Sequence, residues 1–274
     1  MNLAPSACVR AKSGAMRWRA AAASSLLLVA TSTWADAELP SEPETLTPGV
    51  LRIGTYFANP PLEYVAGSKR VGFEIDLMNA VARRLSLRPV FVDTKWEVIL
   101  RQMEGHHYDC IVGGITITPA RQEKLAWSDP YMTTTLSVVV NSAKTPQISS
   151  LADLKEATVG VQAATTDYDA ALAMRRRGEI KGVEVYPFDR IEEAMTDLVA
   201  GRITAVMKVY PVAAWLVRHS PDLRIVAQVP NDPQPLGIGF DKSNPVLLHA
   251  VNGALSDIKR DGTYARLARK WGVP

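Results

Sequence analysis

Residues 110–121 read Cys-Ile-Val-Gly-Gly-Ile-Thr-Ile-Thr-Pro-Ala-Arg. Cys110 to Gly113 predicts a short buried strand, and Pro119 suits the first position of a helix, where its missing N–H is no loss. Gly113 and Gly114 at the strand end let backbone approach a ligand closely. Helix N-terminal N–H groups and the forked guanidinium of Arg121 together suit a carboxylate. Alone the pattern is weak, because an arginine in a first helical turn is more often solvated surface. A second strand-to-helix turn, Gln162-Ala163-Ala164-Thr165-Thr166-Asp167, repeats the arrangement further along. Its Thr and Asp residues suit an ordinary helix cap, yet two such turns facing each other would hold one small anion between them.

Outward from these turns, strands alternate with helices. Leu51–Thr55 alternates as a half-buried strand. Phe73, Leu77, Val81 and Leu85 then stripe an amphipathic helix, with Arg83 and Arg84 opposite. Pro89–Val92 predicts a strand, Trp96–Met103 a helix, and Thr135–Val140 a strand. The order restarts with a strand at Thr158–Gln162, a helix at Thr166–Arg176, a strand at Val183–Tyr186 and a helical stripe from Ile191 to Val199. A strand at Thr204–Val209, a helix at Pro211–Arg218 and a strand at Leu223–Ala227 follow. Leu236–Phe240 is extended, and a long helix from Leu247 to Ile258 precedes a short one near Tyr264–Lys270. Such alternation predicts α/β layers with largely parallel sheets.

The 274 residues are 47% hydrophobic and 22% charged, an ordinary globular composition. The net charge of +3 is concentrated at the front. Residues 1–37 carry Arg10, Lys12, Arg17 and Arg19 against Asp36 alone, and the remainder is electrically balanced. No basic surface for nucleic acid is expected. The basic residues precede a small-apolar run from Ala20 to Thr33, and Ala35-Asp36-Ala37 supplies a cleavage pattern. The run is shorter than the roughly 20 residues that span a bilayer. Residues 1–37 therefore read as a secretory signal, with the mature chain beginning near Glu38 outside the cytoplasm. Cys8 leaves with that segment, and Cys110 is expected to pack as a small hydrophobe. His106, His107, His219 and His249 show no metal-ligand spacing. No phosphate-binding glycine loop or nucleophile elbow occurs, so neither metal nor cofactor is expected.

An ordered set of short motifs is more specific than any of these. Pro60-Pro61-Leu62-Glu63-Tyr64, Gly72-Phe73-Glu74-Ile75-Asp76-Leu77, Tyr108-Asp109, Gly114 to Arg121 and Trp127-Ser128-Asp129-Pro130-Tyr131 come in sequence. Leu151-Ala152-Asp153-Leu154-Lys155, Val159-Gly160-Val161-Gln162, Asp261-Gly262-Thr263-Tyr264 and Lys270-Trp271-Gly272 follow. Over residues 49–274 the chain resembles periplasmic solute-binding protein family 3, the polar amino-acid receptors of ABC importers.

The resemblance implies an α/β, two-lobed periplasmic binding protein (type II) fold with two crossover hinge strands. Lobe one would comprise 49–137 plus 234–274, and lobe two 138–233. It implies a monomer that closes on a small-molecule carboxylate and presents it to the membrane subunits of an importer. Arg121 would clamp the carboxylate with the Thr116 amide and with Thr166 from the other lobe. The Gly114 carbonyl and the Thr116 hydroxyl would face an α-ammonium. Trp96 stands where the family often sets an aromatic against the ligand, whereas Asn59 stands at the other usual aromatic position. Tyr56, Thr165 and Gln162 are further lining candidates. For Trp96 and Tyr56, plain core packing is an equal alternative.

One departure matters. The family usually carries an Asp at the position of Val209, and that Asp pairs with the ligand's ammonium. Val209 cannot do so, which points either to a ligand without an α-ammonium or to another acid, Asp167, taking the part. Strand alternation would turn Lys208 away from whatever Val209 faces. Two other functions stay open. One is a cyclohexadienyl dehydratase-like enzyme, which needs a poised proton donor; the Glu usual in those enzymes is Tyr168 here. The other is an accessory partner protein of a periplasmic dehydrogenase.

Overall fold

In the computed structural model, residues 43–218 and 220–274 are described; the signal segment 1–37 lies outside the described residues. β1 (Val50–Thr55) leads into a small antiparallel sheet of β2 (Ala58–Asn59), β3 (Glu63–Ala66) and β4 (Lys69–Val71). Next come α1 (Phe73–Arg84), β5 (Arg88–Asp93), α2 (Trp96–Glu104), β6 (Cys110–Ile111), α3 (Pro119–Lys124) and β7 (Ala126–Trp127). β8 (Met132–Asn141) crosses to a second series: β9 (Thr158–Gln162), α4 (Thr166–Arg176), β10 (Gly182–Tyr186), α5 (Ile191–Ala200), β11 (Ala205–Val209) and α6 (Tyr210–Arg218). β12 (Leu223–Leu236) returns, and β13 (Gly239–Phe240), α7 (Pro245–Arg260) and α8 (Thr263–Trp271) complete the chain.

Two five-stranded sheets result, ordered β5-β1-β6-β13-β7 and β10-β9-β11-β8-β12. β1, β5 and β6 run parallel, as do β9, β10 and β11, because helices cross between them; β8, β12 and β13 are antiparallel additions. The sheets are linked by β8 and β12, which pair along their length with a register break between Gln228 and Pro233. The strand expected at Leu223–Ala227 thus extends nine residues further, through Pro230, Pro233 and Pro235. Proline is tolerated there because β12 is an edge strand and needs donors on one side only. The other predicted elements appear at or near their expected limits, while the hairpin strands β2 to β4, the short strand β7 and the 3-10 turns Leu151–Leu154 and Phe188–Arg190 were not anticipated.

The sequence motifs brace the first sheet. Asp109 accepts hydrogen bonds from the N–H groups of Leu46 and Arg52, both at 2.6 Å. Asp76 on α1 accepts from Lys270 Nζ at 2.7 Å and Trp271 Nε1 at 2.8 Å, pinning α8 to α1. Among the described residues no helix is long and apolar enough to cross a membrane.

Gly72, at the N-cap of α1, has φ 144°. The amides of Phe73 and Glu74 donate to the carbonyls of Pro61 and Leu62, each at 2.9 Å. A Cβ on Gly72 would lie 2.0 Å from the Leu62 carbonyl oxygen. The loop that carries Asn59 and Glu63 is thereby seated against the helix start. Gly72→Ala is expected to destabilise the protein by roughly 2–4 kcal/mol, measured as a lower urea midpoint at unchanged slope; an unchanged midpoint would contradict this packing.

Candidate functional site

Parallel strands bring their carboxyl ends to one edge, where α/β folds commonly form binding crevices. Here the ends of β1, β6, β9 and β11 meet around one narrow cavity. Tyr56, Asn59, Trp96, Gly114, Thr116 and Arg121 line it from the first sheet. Thr165, Thr166 and Val209 line it from the second, together with Asp167, Phe188 and Lys208. Gln162 stands behind this wall, 2% exposed.

Arg121 is presented by a well-formed helix start. Thr118 caps α3 by accepting from the Arg121 amide at 3.3 Å, and Pro119 occupies the first turn. Thr116 forms a single antiparallel bridge with Leu236. Its neighbours make the bridging hydrogen bonds, Ile117 N–H to Pro235 O at 2.7 Å and Gly237 N–H to Ile115 O at 3.1 Å. The peptide groups of Thr116 itself therefore turn the other way, and its carbonyl accepts from Arg121 Nη1 at 2.8 Å. The guanidinium also sits 5.1 Å from the Trp96 ring centre, a cation–π arrangement. A longer 3.5 Å contact joins Nη2 to the Ala164 carbonyl across the cavity. Burial pushes the guanidinium pKa down, partly offset by Tyr56, Asp169 and Asp167. Among the described residues Arg121 forms no ion pair.

The opposing turn is also capped: Thr165 accepts from the Tyr168 amide at 3.3 Å and donates to the Gln162 carbonyl at 2.6 Å. Ala164 has φ 59°, a left-handed conformation uncommon for a residue with a side chain. Thr166 Oγ1 lies 3.5 Å from Thr116 Oγ1, and the Thr116 hydroxyl donates to Gln234 Oε1 at 3.1 Å. Trp96 Nε1 donates to the Ala163 carbonyl at 3.1 Å. These contacts join the two sheets directly across the cleft.

Lys208 departs from the alternation argument. It lines the cavity as Val209 does, and it is 3% exposed. β11 ends at Val209 and α6 begins at once, so the long lysine stem reaches past the strand end. Its Nζ donates to Gln162 Oε1 and stands 3.6 Å from Asp167 Oδ2. Gln162 also donates through Nε2 to the Phe188 carbonyl. It holds Lys208 and Phe188 in place. Phe188 stacks on Trp96 at 5.0 Å and meets Tyr56 edge-on at 4.7 Å. Tyr56 and Trp96 are therefore both core and cavity wall. Neither Phe188 nor Asp167 with Lys208 was expected as a unit; the signal available was their position at or just beyond the ends of β10, β9 and β11.

The cavity floor rests on two buried acids. Gly114 has φ 59°, and a Cβ there would lie 2.9 Å from Leu62 and 3.0 Å from Asn59 Nδ2. Its amide donates to Glu74 Oε1 at 2.8 Å, and Glu74 accepts from the Tyr131 hydroxyl too. Glu63 and Glu74 are both 0% exposed and within hydrogen-bonding reach of each other. Burial first, then Glu74, raises the Glu63 pKa well above the ordinary value; burial also raises that of Glu74, less so because Glu63, Tyr131 and Gly114 donate to it. Both shifts favour the protonated form, so the pair resists carrying two negative charges side by side. Both oxygens of Glu63 and Oε2 of Glu74 are buried without a hydrogen-bond partner. Among the described residues no cluster suits a metal ion.

Comparison with known proteins agrees with this fold. Residues 51–274 match the model for bacterial extracellular solute-binding proteins, family 3. An L-cystine-binding protein of Escherichia coli (strain K12) is 30% identical over 81% of this chain and 82% of its own length. The ABC transporter arginine-binding protein 1 of the same organism is 29% identical over 81% of this chain and 90% of its own. The structure of an ancestral arginine-binding protein bound to arginine superposes with a TM-score of 0.74, at 33% identity, over 81% of this chain and 98% of that one.

The acid pair makes stability depend on pH. Glu63 binds its proton more tightly in the folded chain than in the unfolded one. Its contribution is therefore full below the ordinary value near 4.5 and is lost as pH rises through the raised folded value. Glu63→Gln keeps a donor toward Glu74 at every pH. Melting curves should show the variant a few degrees more stable than wild type at pH 8 and equal to it at pH 4; parallel pH profiles would contradict the raised Glu63 value.

Proposed function

The chain belongs to the bacterial extracellular solute-binding proteins, family 3, and we propose that its cleft captures a small carboxylate-bearing solute, an amino acid or a related organic acid, for an ABC importer. The observation that carries this is Arg121. Its guanidinium is half-buried, oriented by Thr116 and Trp96, and forms no ion pair among the described residues. A charge so placed needs a counter-ion, and a ligand carboxylate meets the guanidinium fork in two parallel hydrogen bonds. Thr116 N–H, turned toward the cavity, and Thr166 complete the anion cradle, and the Tyr56–Trp96–Phe188 ring cluster walls the rest of the solute.

Residues 49–137 plus 234–274 act as one lobe and 138–233 as the other, with β8 and β12 as the hinge. Contacts of Trp96 with Ala163, Thr116 with Thr166 and Arg121 with Ala164 are those of a closed cleft. A solute touching both lobes favours that state by its differential affinity for it. The closed shape is what importer membrane subunits would read, a role supported by the transporter named in the arginine-binding relative. The chain is a binding protein rather than an enzyme, and residues 1–37 are proposed to export it to the periplasm.

Arg121→Ala should weaken capture by about 3 kcal/mol, roughly 150-fold in Kd, by titration calorimetry with the solute that wild type binds, while the melting temperature of the unliganded protein stays within a few degrees. Undiminished affinity would remove Arg121 from the site.

A further inference from the structure

The charged groups facing the cavity do not match an α-amino acid. Besides Arg121 there is a second cation, Lys208, and one carboxylate, Asp167, with Asp167 2% exposed. Asp167 Oδ2 accepts no hydrogen bond, so it is the group that would meet a ligand ammonium. Lys208 Nζ already stands 3.6 Å from that oxygen. An incoming ammonium would be drawn to an acid already neutralised and would meet a like charge beside it. The remaining acids offer no substitute. Glu74 is engaged by Gly114 and Tyr131, Glu63 lies beneath it without lining the cavity, and Asp169 is exposed outside. Val209, at the next position along the wall, is apolar.

Lys208, by contrast, has donors to offer. One of its three N–H bonds goes to Gln162 Oε1, and the separation from Asp167 is longer than a hydrogen bond. Arg121, Lys208 and Asp167 together leave one positive charge, which complements a monoanion.

We propose that Lys208 sets the ligand class: the cleft selects carboxylic acids that carry an oxygen acceptor, 2-oxo or 2-hydroxy, where an amino acid carries its ammonium. This rests on the carboxylate reading of the cleft. Arg121 takes the carboxylate, Lys208 donates to the oxygen, and Asp167 with Gln162 holds Lys208 in place. The protein's own ammonium occupies the region in which an amino acid's would have to sit.

Titration calorimetry on the purified protein tests this with matched sets that share a side chain: pyruvate, lactate and alanine; 2-oxoglutarate, 2-hydroxyglutarate and glutamate; phenylpyruvate, phenyllactate and phenylalanine; and the corresponding acids of leucine and arginine. In any set that binds, the oxygen-bearing acid should bind at least about 100-fold more tightly than the amino acid. Equal or tighter binding of the amino acid overturns the inference while leaving the carboxylate reading intact. Binding by no member overturns the carboxylate reading, and the inference falls with it. Lys208→Met should bring the ratio to unity or below by freeing Asp167, whereas a merely structural lysine would weaken both acids alike. If that variant does not fold, Lys208→Met/Asp167→Asn removes both charges, and its ratio should fall within about tenfold of unity; a ratio still near the wild-type value would overturn the assignment.

Discussion

A half-buried guanidinium set between two sheets, in no ion pair among the described residues, is the constraint on which the rest of this structure depends. Taking a cation out of water is unfavourable unless something polar meets it. Here the Thr116 carbonyl, the Trp96 ring and, at longer range, the Ala164 carbonyl meet Arg121 only in part. The Thr116–Leu236 bridge, the capped start of α3 and the left-handed turn at Ala164 all serve to place donors around the space in front of it. The fold supplies the positions, since parallel strands end together and helices begin where they end. The chemistry is supplied by few side chains.

Beneath and behind that space lies a second layer of polar support. Glu74 fixes the Gly114 amide, so that loop backbone at the cavity floor is tied to the start of α1. Gln162 does similar work on the opposite side, gripping both Lys208 and the backbone of Phe188. Neither assembly is exposed to solvent.

Much of the fold was legible from periodicity. The stripe from Phe73 to Leu85, the runs at residues 158–162 and 204–209 and the Thr-rich turns correspond to α1, β9, β11 and the two helix starts. The return strand β12 runs past the predicted stretch Leu223–Ala227 through Pro230, Pro233 and Pro235, which only its place at a sheet edge makes compatible with a strand. The anion turns were legible because glycine, proline, threonine and arginine have local meanings. The pairing of Lys208 with Asp167 was not, since the two residues lie 41 positions apart and period-two alternation sets 208 and 209 on opposite faces. Nor was the acid pair, because a glutamate in a polar-looking loop gives no sign that a helix will cover it. Phe188 sits in a single 3-10 turn too short for any periodic pattern.

The central claim is that a solute carboxylate sits on Arg121 between closed lobes while Lys208 excludes an ammonium. A crystal structure with the tightest-binding acid tests it most directly. The account predicts the carboxylate in two hydrogen bonds with Arg121, a ligand oxygen within reach of Lys208 Nζ, and the Lys208–Asp167 pair retained. A ligand ammonium seated on Asp167 with Lys208 displaced, or a carboxylate bound away from Arg121, would contradict it.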